Sequence, residues 1–322
     1  MSEISQNLKI IFIGTPEFGA TILKGLIDAK YRPVLVITET DKPVGRKQII
    51  TPPPTKILAQ KYNIPLLQPE RIENCKLKIE NLKPDLGIVA AYGQILPRNI
   101  LDIPKYGCLN VHPSLLPKYR GPSPIQTAIL NGDKETGVTI MKMDEKMDHG
   151  KIISNSKFLI SNKITNFELT KQLAETGAEL LIKTIPDWVE GKIKPQEQNE
   201  AQATYTKLLK KEDGRIDWNQ PADYIDRQTR ALNPWPGAHC KWQIAGHSWQ
   251  TMKVLKAKVL NQTKDGPFGK PGKTFMATNE EIAVQAGKDF FIIEELQVEG
   301  KKQMTSTAFL KGHQNFVGAI LK

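Results

Sequence analysis

The chain has 322 residues, 39% hydrophobic and 25% charged, so it exceeds one ordinary domain and holds enough apolar material for a sizeable core. Its 45 basic residues outnumber 34 acidic ones, a net charge of +11 that favours a polyanionic partner and says nothing about fold. No apolar run approaches the length that spans a membrane, the N-terminus lacks the basic start and cleavage site of a secretory signal, and Cys75, Cys108 and Cys240 are too scattered for a disulfide framework or a CxxC metal site. A cytoplasmic protein with reduced, buried thiols and no membrane association is expected.

The first half alternates strand and helix patterns. Residues 8–13 form a continuous apolar run ending at Gly14, as in a buried parallel strand, and Phe18, Ile22, Leu26 and Ile27 then mark one face of a helix over 18–29. Further strands are predicted at 34–37, 86–91 and 108–111, with a weaker fifth at 137–143, and helices at 124–130 and 167–183. The alternation predicts an α/β fold with a doubly wound, mostly parallel sheet, whose ligands lie at the carboxyl ends of the strands.

Gly14 and Gly19 bracket the first turn, but Ala20 and Thr21 stand where a phosphate-binding loop needs Lys-Ser/Thr. The pair is read as a tight strand-to-helix turn with Pro16 near the helix start. Residues 39–54 exceed the usual αβ connection. Pro52, Pro53 and Pro54 stiffen its exit and Gly45-Arg46-Lys47 places charge at its tip, which suits a partly mobile loop that contacts phosphates; the alternative is a solvated surface loop. The polar stretch 191–206 reads as a linker. Beyond it, β-like runs at 251–259, 281–284, 290–297 and 316–320, separated by turn residues, predict a small barrel or sandwich. Residues 207–322 carry 18 basic against 12 acidic side chains, a denser positive balance than the 25 against 20 of residues 1–190. The expected division is 1–190, a linker at 191–206, and 207–322.

Asn110 and His112 lie two apart at the end of a strand, so both side chains share one face of the sheet, at its ligand-binding edge. An amide donor beside an imidazole meets the needs of acyl transfer: donors for a tetrahedral oxyanion and a group that exchanges protons with the nucleophile; an isolated Asn-x-His is common, and taken alone a structural histidine is the alternative. Asp148, after the fifth strand, is placed to return to that edge and orient His112, although an Asx-turn before Gly150 accounts for it equally well alone. His149 is read as a turn residue, and His239, His247 and His313 have no metal-ligand spacing.

Residues 110–117 (NVHPSLLP) with Asp148-His149-Gly150 resemble the folate-dependent formyltransferases. The resemblance implies that Asn110, His112 and Asp148 are a catalytic trio, and that Tyr92 and Gly93 (within AAYGQILP) with Ser114, Leu115, Leu116 and Pro117 bind folate. Residues 11–18 (IFIGTPEF), 41–47 (DKPVGRK), 213–218 (DGRIDW) and 230–237 (RALNPWPG) are similar to the branch of that family that formylates a charged initiator tRNA. It follows that Arg46 and Lys47 contact tRNA, that 10-formyltetrahydrofolate is the co-substrate without metal or nucleotide, that a monomer acts, and that a Rossmann-like domain precedes an OB-like barrel. A formyltransferase acting on a nucleotide-linked sugar or purine precursor would share the trio without needing the 40–54 loop. An inactive RNA-binding protein on the same scaffold would not need the trio.

Overall fold

The computed structural model describes residues 7–45, 47–243, 249–261, 269–277 and 281–322. The chain divides into two compact units, one of 1–124, 135–160 and 168–207, the other of 125–134, 161–167 and 208–322.

In the first unit, β1 (Ile10–Gly14) is buried at every position, as its unbroken apolar run requires. The helix α1 (Glu17–Asp28) buries Phe18, Ile22, Leu23 and Leu26 along one face. β2 (Leu35–Ile37) follows, then β3 (Lys42–Val44) and β4 (Ile49–Thr51), α2 (Pro54–Lys61), β5 (Leu66–Leu67), α3 (Lys76–Leu82), β6 (Leu86–Ala90), α4 (Arg98–Leu101) and β7 (Cys108–His112). After α5 (Pro124–Asn131), whose residues 125–131 belong to the second unit, come β8 (Glu135–Lys142), β9 (Ile152–Leu159) and the long α6 (Asn166–Val189), which buries Leu169, Leu173, Leu181 and Ile185 at helical spacing. The sheet order is β5-β2-β1-β6-β7-β8-β9, parallel through β7 and antiparallel at β8 and β9.

The glycine pair serves close packing. A Cβ on Gly14 or Gly19 would stand 2.6 or 2.8 Å from the Ala90 carbonyl, so only glycine lets the β1–α1 turn lie against β6. Pro16 sits at the N-cap, as the turn reading expects.

Two segments differ from expectation. Residues 39–54 contain an antiparallel hairpin, β3 on β4, with Lys42 opposite Thr51 and Val44 opposite Ile49. Gly45 at φ +72° and the Gln48 amide donating to its carbonyl close the turn, and the β-branched Val44, Ile49, Ile50 and Thr51 favour extended backbone although all four are exposed. Residues 316–320 form no strand: a 3-10 turn at Gln314–Phe316 leads into a turn at 317–318 and a single bridge from Ile320 to Lys273.

The second unit contains α7 (Ala222–Leu232), β10 (His239–Gln243), β11 (Trp249–Leu260), β12 (Thr274–Met276), β13 (Ile282–Gln285), β14 (Phe290–Val298), β15 (Met304–Thr305) and α8 (Ser306–Gly312). Its antiparallel sheet has the order β10-β11-β14-β13-β12, with β15 beside β14. Trp242 anchors the core, meeting Phe309 and Phe316 edge-on at 5.7 and 5.1 Å. The C-terminal tail joins the two outer strands' neighbourhoods. Lys322 exchanges both backbone hydrogen bonds with Lys241 of β10, while Leu321 N–H donates to Gly272 and Thr274 N–H of β12 donates to Ala319. An open antiparallel sheet thereby becomes a closed one.

All three cysteines are free and buried. Burial pushes the Cys108 and Cys240 thiols up to about 12, which leaves them unreactive near neutral pH.

Deleting residues 319–322 removes those backbone bonds and the buried Leu321 side chain. We expect a loss of about 2–4 kcal/mol in the stability of this unit, read by hydrogen exchange at β10 and β12. Unchanged protection at both strands would contradict the closure.

Candidate active site

Strand β7 places Asn110 and His112 on one face, in register with Met141 and Thr139 of β8. Both are buried, at 9% and 4% exposure. His112 Nε2 lies 2.9 Å from the Tyr119 carbonyl. A carbonyl only accepts, so Nε2 carries the proton and Nδ1 is the nitrogen left to face the reaction. That nitrogen stands 3.5 Å from Asp148 Oδ1, which also accepts from Asn110 Nδ2 at 3.4 Å. Both contacts are long, so the amide and the imidazole keep capacity for an incoming oxygen.

Asp148 reaches the trio by a route the strand pattern did not give. β8 runs antiparallel to β7 and ends with Lys142 opposite Leu109, and the 143–151 connection then carries Asp148 back to Asn110 and His112. Asp148 adopts φ +49°, the left-handed region that a non-glycine residue enters at a cost of about 1–2 kcal/mol. Its Oδ2 accepts from Gly121 N–H at 2.7 Å. Gly121 needs φ +108°, and a Cβ there would stand 2.8 Å from both Thr206 O and Oγ1. Glycine is therefore required at the donor that holds the carboxylate.

The trio lines a cavity of about 300 Å³ whose other walls include Tyr92, Gly93 and Ile95. The Thr15 hydroxyl donates to the Tyr92 carbonyl at 3.0 Å, and burial pushes the Tyr92 phenol up, keeping it neutral. Ser114, Leu115, Leu116 and Pro117 do not line this cavity. They hold the loop behind it: Thr139 Oγ1 donates to Ser114 O at 2.7 Å and accepts from Leu116 N–H at 3.1 Å, and Ser114 Oγ donates to Lys118 O at 2.6 Å. Lys47 is exposed at the β3–β4 turn, away from the cavity lining, and Arg46 lies outside the described residues.

The stretch read as a linker is part of the site's frame. Thr204 accepts from the N–H groups of Tyr119 and Arg120, Thr206 N–H donates to Arg120 O, and Gln196 pairs with Ile152. The Arg120 side chain is wholly buried and bonds Gln198, Glu200 and Tyr205. Arg120 holds the Glu200 carboxyl below its ordinary range, while His149 stands between Asp144 at 2.5 Å and Glu200 at 3.5 Å. The sequence signal for this frame was Arg120 itself: an arginine inside an apolar, proline-rich loop requires acceptors from elsewhere.

Among the described residues no cluster of three or more His, Cys, Asp or Glu is placed to hold a metal ion, and no helix is long and apolar enough to cross a membrane.

A buried amide, an imidazole and a carboxylate converging on a cavity beside a parallel sheet define an α/β enzyme suited to acyl-group transfer. Comparison with known proteins narrows that class. A formyl transferase family model matches residues 8–185, and the model of the formyl transferase C-terminal domain matches 208–314. A methionyl-tRNA formyltransferase of Bacillus velezensis is 44% identical over 317 residues, 97% of each chain, and one of Chloroflexus aurantiacus is 42% identical over 95% of this chain and 97% of its own. This chain belongs to the formyl transferase family. Solved structures below 25% identity share the fold. HypX from Aquifex aeolicus, crystallised with tetrahydrofolic acid, has a TM-score of 0.65 at 19% identity over 96% of this chain and 48% of its own. An N-formyltransferase from Helicobacter canadensis has 0.63 at 21% identity over 89% of this chain and 98% of its own.

The Arg120–Glu200 tie gives a pH prediction. Glu200 is depressed in the folded state, so its contribution to stability is present above the unfolded carboxylate range and is lost as pH falls through the lowered value. Glu200→Gln should therefore flatten the fall in stability below about pH 4, followed by urea unfolding at stepped pH. A slope equal to that of the unmodified chain would contradict the tie.

Proposed function

We propose that this chain transfers the formyl group of 10-formyltetrahydrofolate to the α-amino group of a methionyl initiator tRNA. The observation that carries the reading is the convergence of Asn110, His112 and Asp148 on one cavity, in a chain that matches methionyl-tRNA formyltransferases along nearly its whole length.

The amine attacks the formyl carbon, a new N–C bond forms, and the carbonyl becomes a tetrahedral oxyanion. Asn110 Nδ2 and His112, protonated at Nδ1, donate to that oxygen. Asp148 stabilises the imidazolium and receives the amine's proton through water, and the proton passes to the folate N10 as the C–N10 bond breaks. Tyr92 and Gly93 contribute the folate-facing wall, and residues 114–117 hold the loop whose Tyr119 carbonyl fixes the His112 tautomer. Lys47, on the β3–β4 turn, and Arg46, its neighbour in sequence, contact tRNA phosphates, and the basic 207–322 region contributes a nucleic-acid-binding barrel. The enzyme acts in the cytoplasm as a monomer, with 1–190 and 207–322 as its catalytic and tRNA-binding domains. The polar site supplies the chemistry through hydrogen bonds and proton transfer.

Formyl transfer to charged initiator tRNA, with charged elongator tRNA and a nucleotide-linked amino sugar assayed alongside, tests the assignment. Activity confined to the sugar would overturn it. Asn110→Ala and His112→Ala should each lower kcat roughly 100- to 1,000-fold with folate affinity little changed. Near-normal turnover in either would remove that residue from the chemistry. Arg46→Ala and Lys47→Ala should each reduce kcat/KM for charged tRNA and lower the slope of log kcat/KM against log salt by about one. An unchanged salt slope would exclude the phosphate contact.

A further inference from the structure

We infer that Gln198 is a positioning residue for formyl transfer, holding the backbone of Asp148 through a relay that begins at buried Arg120. The inference rests on the reading of Asp148 as a member of the reacting trio.

Arg120 has no exposed surface, and all five of its N–H groups are matched. Nε and Nη2 donate to Gln198 Oε1 at 3.0 and 2.8 Å, Nη2 and Nη1 to the two Glu200 oxygens at 2.6 and 3.0 Å, and Nη1 to the Tyr205 hydroxyl at 2.9 Å. Two of those bonds fall on the one Gln198 carbonyl oxygen, which settles the orientation of the amide. Its Nε2 must then point the other way. There it donates to Asp148 O at 2.8 Å and Gly150 O at 2.7 Å, using both of its protons.

Asp148 is therefore held at two points. Gly121 N–H holds the carboxylate and Gln198 holds the carbonyl, and the residue between them occupies the left-handed conformation. A side chain that leaves such a conformation swings its carboxylate away from His112, so surrounding bonds must over-determine it. The same Arg120 supplies both holds: its side chain orients Gln198, and its backbone leads directly into Gly121. Gln198 is 8% exposed and does not line the cavity, so it acts on Asp148 and not on substrate.

The test is Gln198→Glu. The carboxylate keeps the acceptor that Arg120 needs but loses both donors to the 148–150 backbone. We expect kcat to fall roughly 10- to 100-fold, the cost of a catalytic group displaced by about an ångström. KM for both substrates should stay within about threefold and the melting temperature should hold. In an Asp148→Ala background the same substitution should change single-turnover transfer by less than about twofold, because its effect passes through Asp148. If Gln198→Glu lowers the melting temperature, kcat is read below the onset of unfolding, with the folded fraction fixed by circular dichroism, against the same criteria. Wild-type kcat in a folded Gln198 variant, or full additivity with Asp148→Ala, overturns the relay. Wild-type turnover in Asp148→Ala alone overturns the trio, a separate outcome.

Discussion

The site depends on where the Asp148 carboxylate is held. Its Oδ2 takes the Gly121 N–H at 2.7 Å, and its Oδ1 faces both Asn110 and His112. Neither of those two partners could fix it, since both contacts are long. Backbone groups do so instead, and the surrounding sequence provides for them: Gly121 at φ +108°, Tyr119 at φ +63°, and the 196–206 segment packed behind both. The polar groups are thereby arranged before any substrate arrives, which is the condition under which they stabilise developing charge most effectively.

The same economy governs His112. One ring nitrogen is committed to the Tyr119 carbonyl, so the protonation state of the other is the only variable left to the reaction. The loop that supplies this carbonyl is held in turn by Thr139 of β8 through Ser114 and Leu116. Ser114 and Leu116, which the family resemblance assigns to the folate pocket, thus help to orient the imidazole from behind.

Much of the sheet was legible in the sequence. Strands β1 and β6 are unbroken runs without a polar side chain, as strands buried on both faces require. The two-residue spacing of Asn110 and His112 placed them on one face correctly. The antiparallel direction of β8 was not legible, because direction is set by pairing with β7 and leaves no mark on hydrophobic pattern. Nor was α7, whose buried face includes Asp226, Gln228 and Thr229. Those groups are satisfied by Arg230, by the Asp213 and Arg215 carbonyls, and by the Ile225 carbonyl, so burial did not demand apolar residues. The frame at 196–206 escaped for a related reason. Its residues are polar because they bond backbone and Arg120, and polarity without periodicity reads as a linker.

Backbone hydrogen bonds set the trio in the free enzyme, with His112 presenting Nδ1. Nitrogen-15 NMR of the histidine-labelled chain without substrate measures this directly. At a pH where His112 is neutral, the spectrum should show a protonated Nε2, a hydrogen bond from it to a carbonyl, and an Nδ1 shift typical of an unprotonated ring nitrogen. A neutral ring protonated at Nδ1, with Nε2 bare, would contradict it.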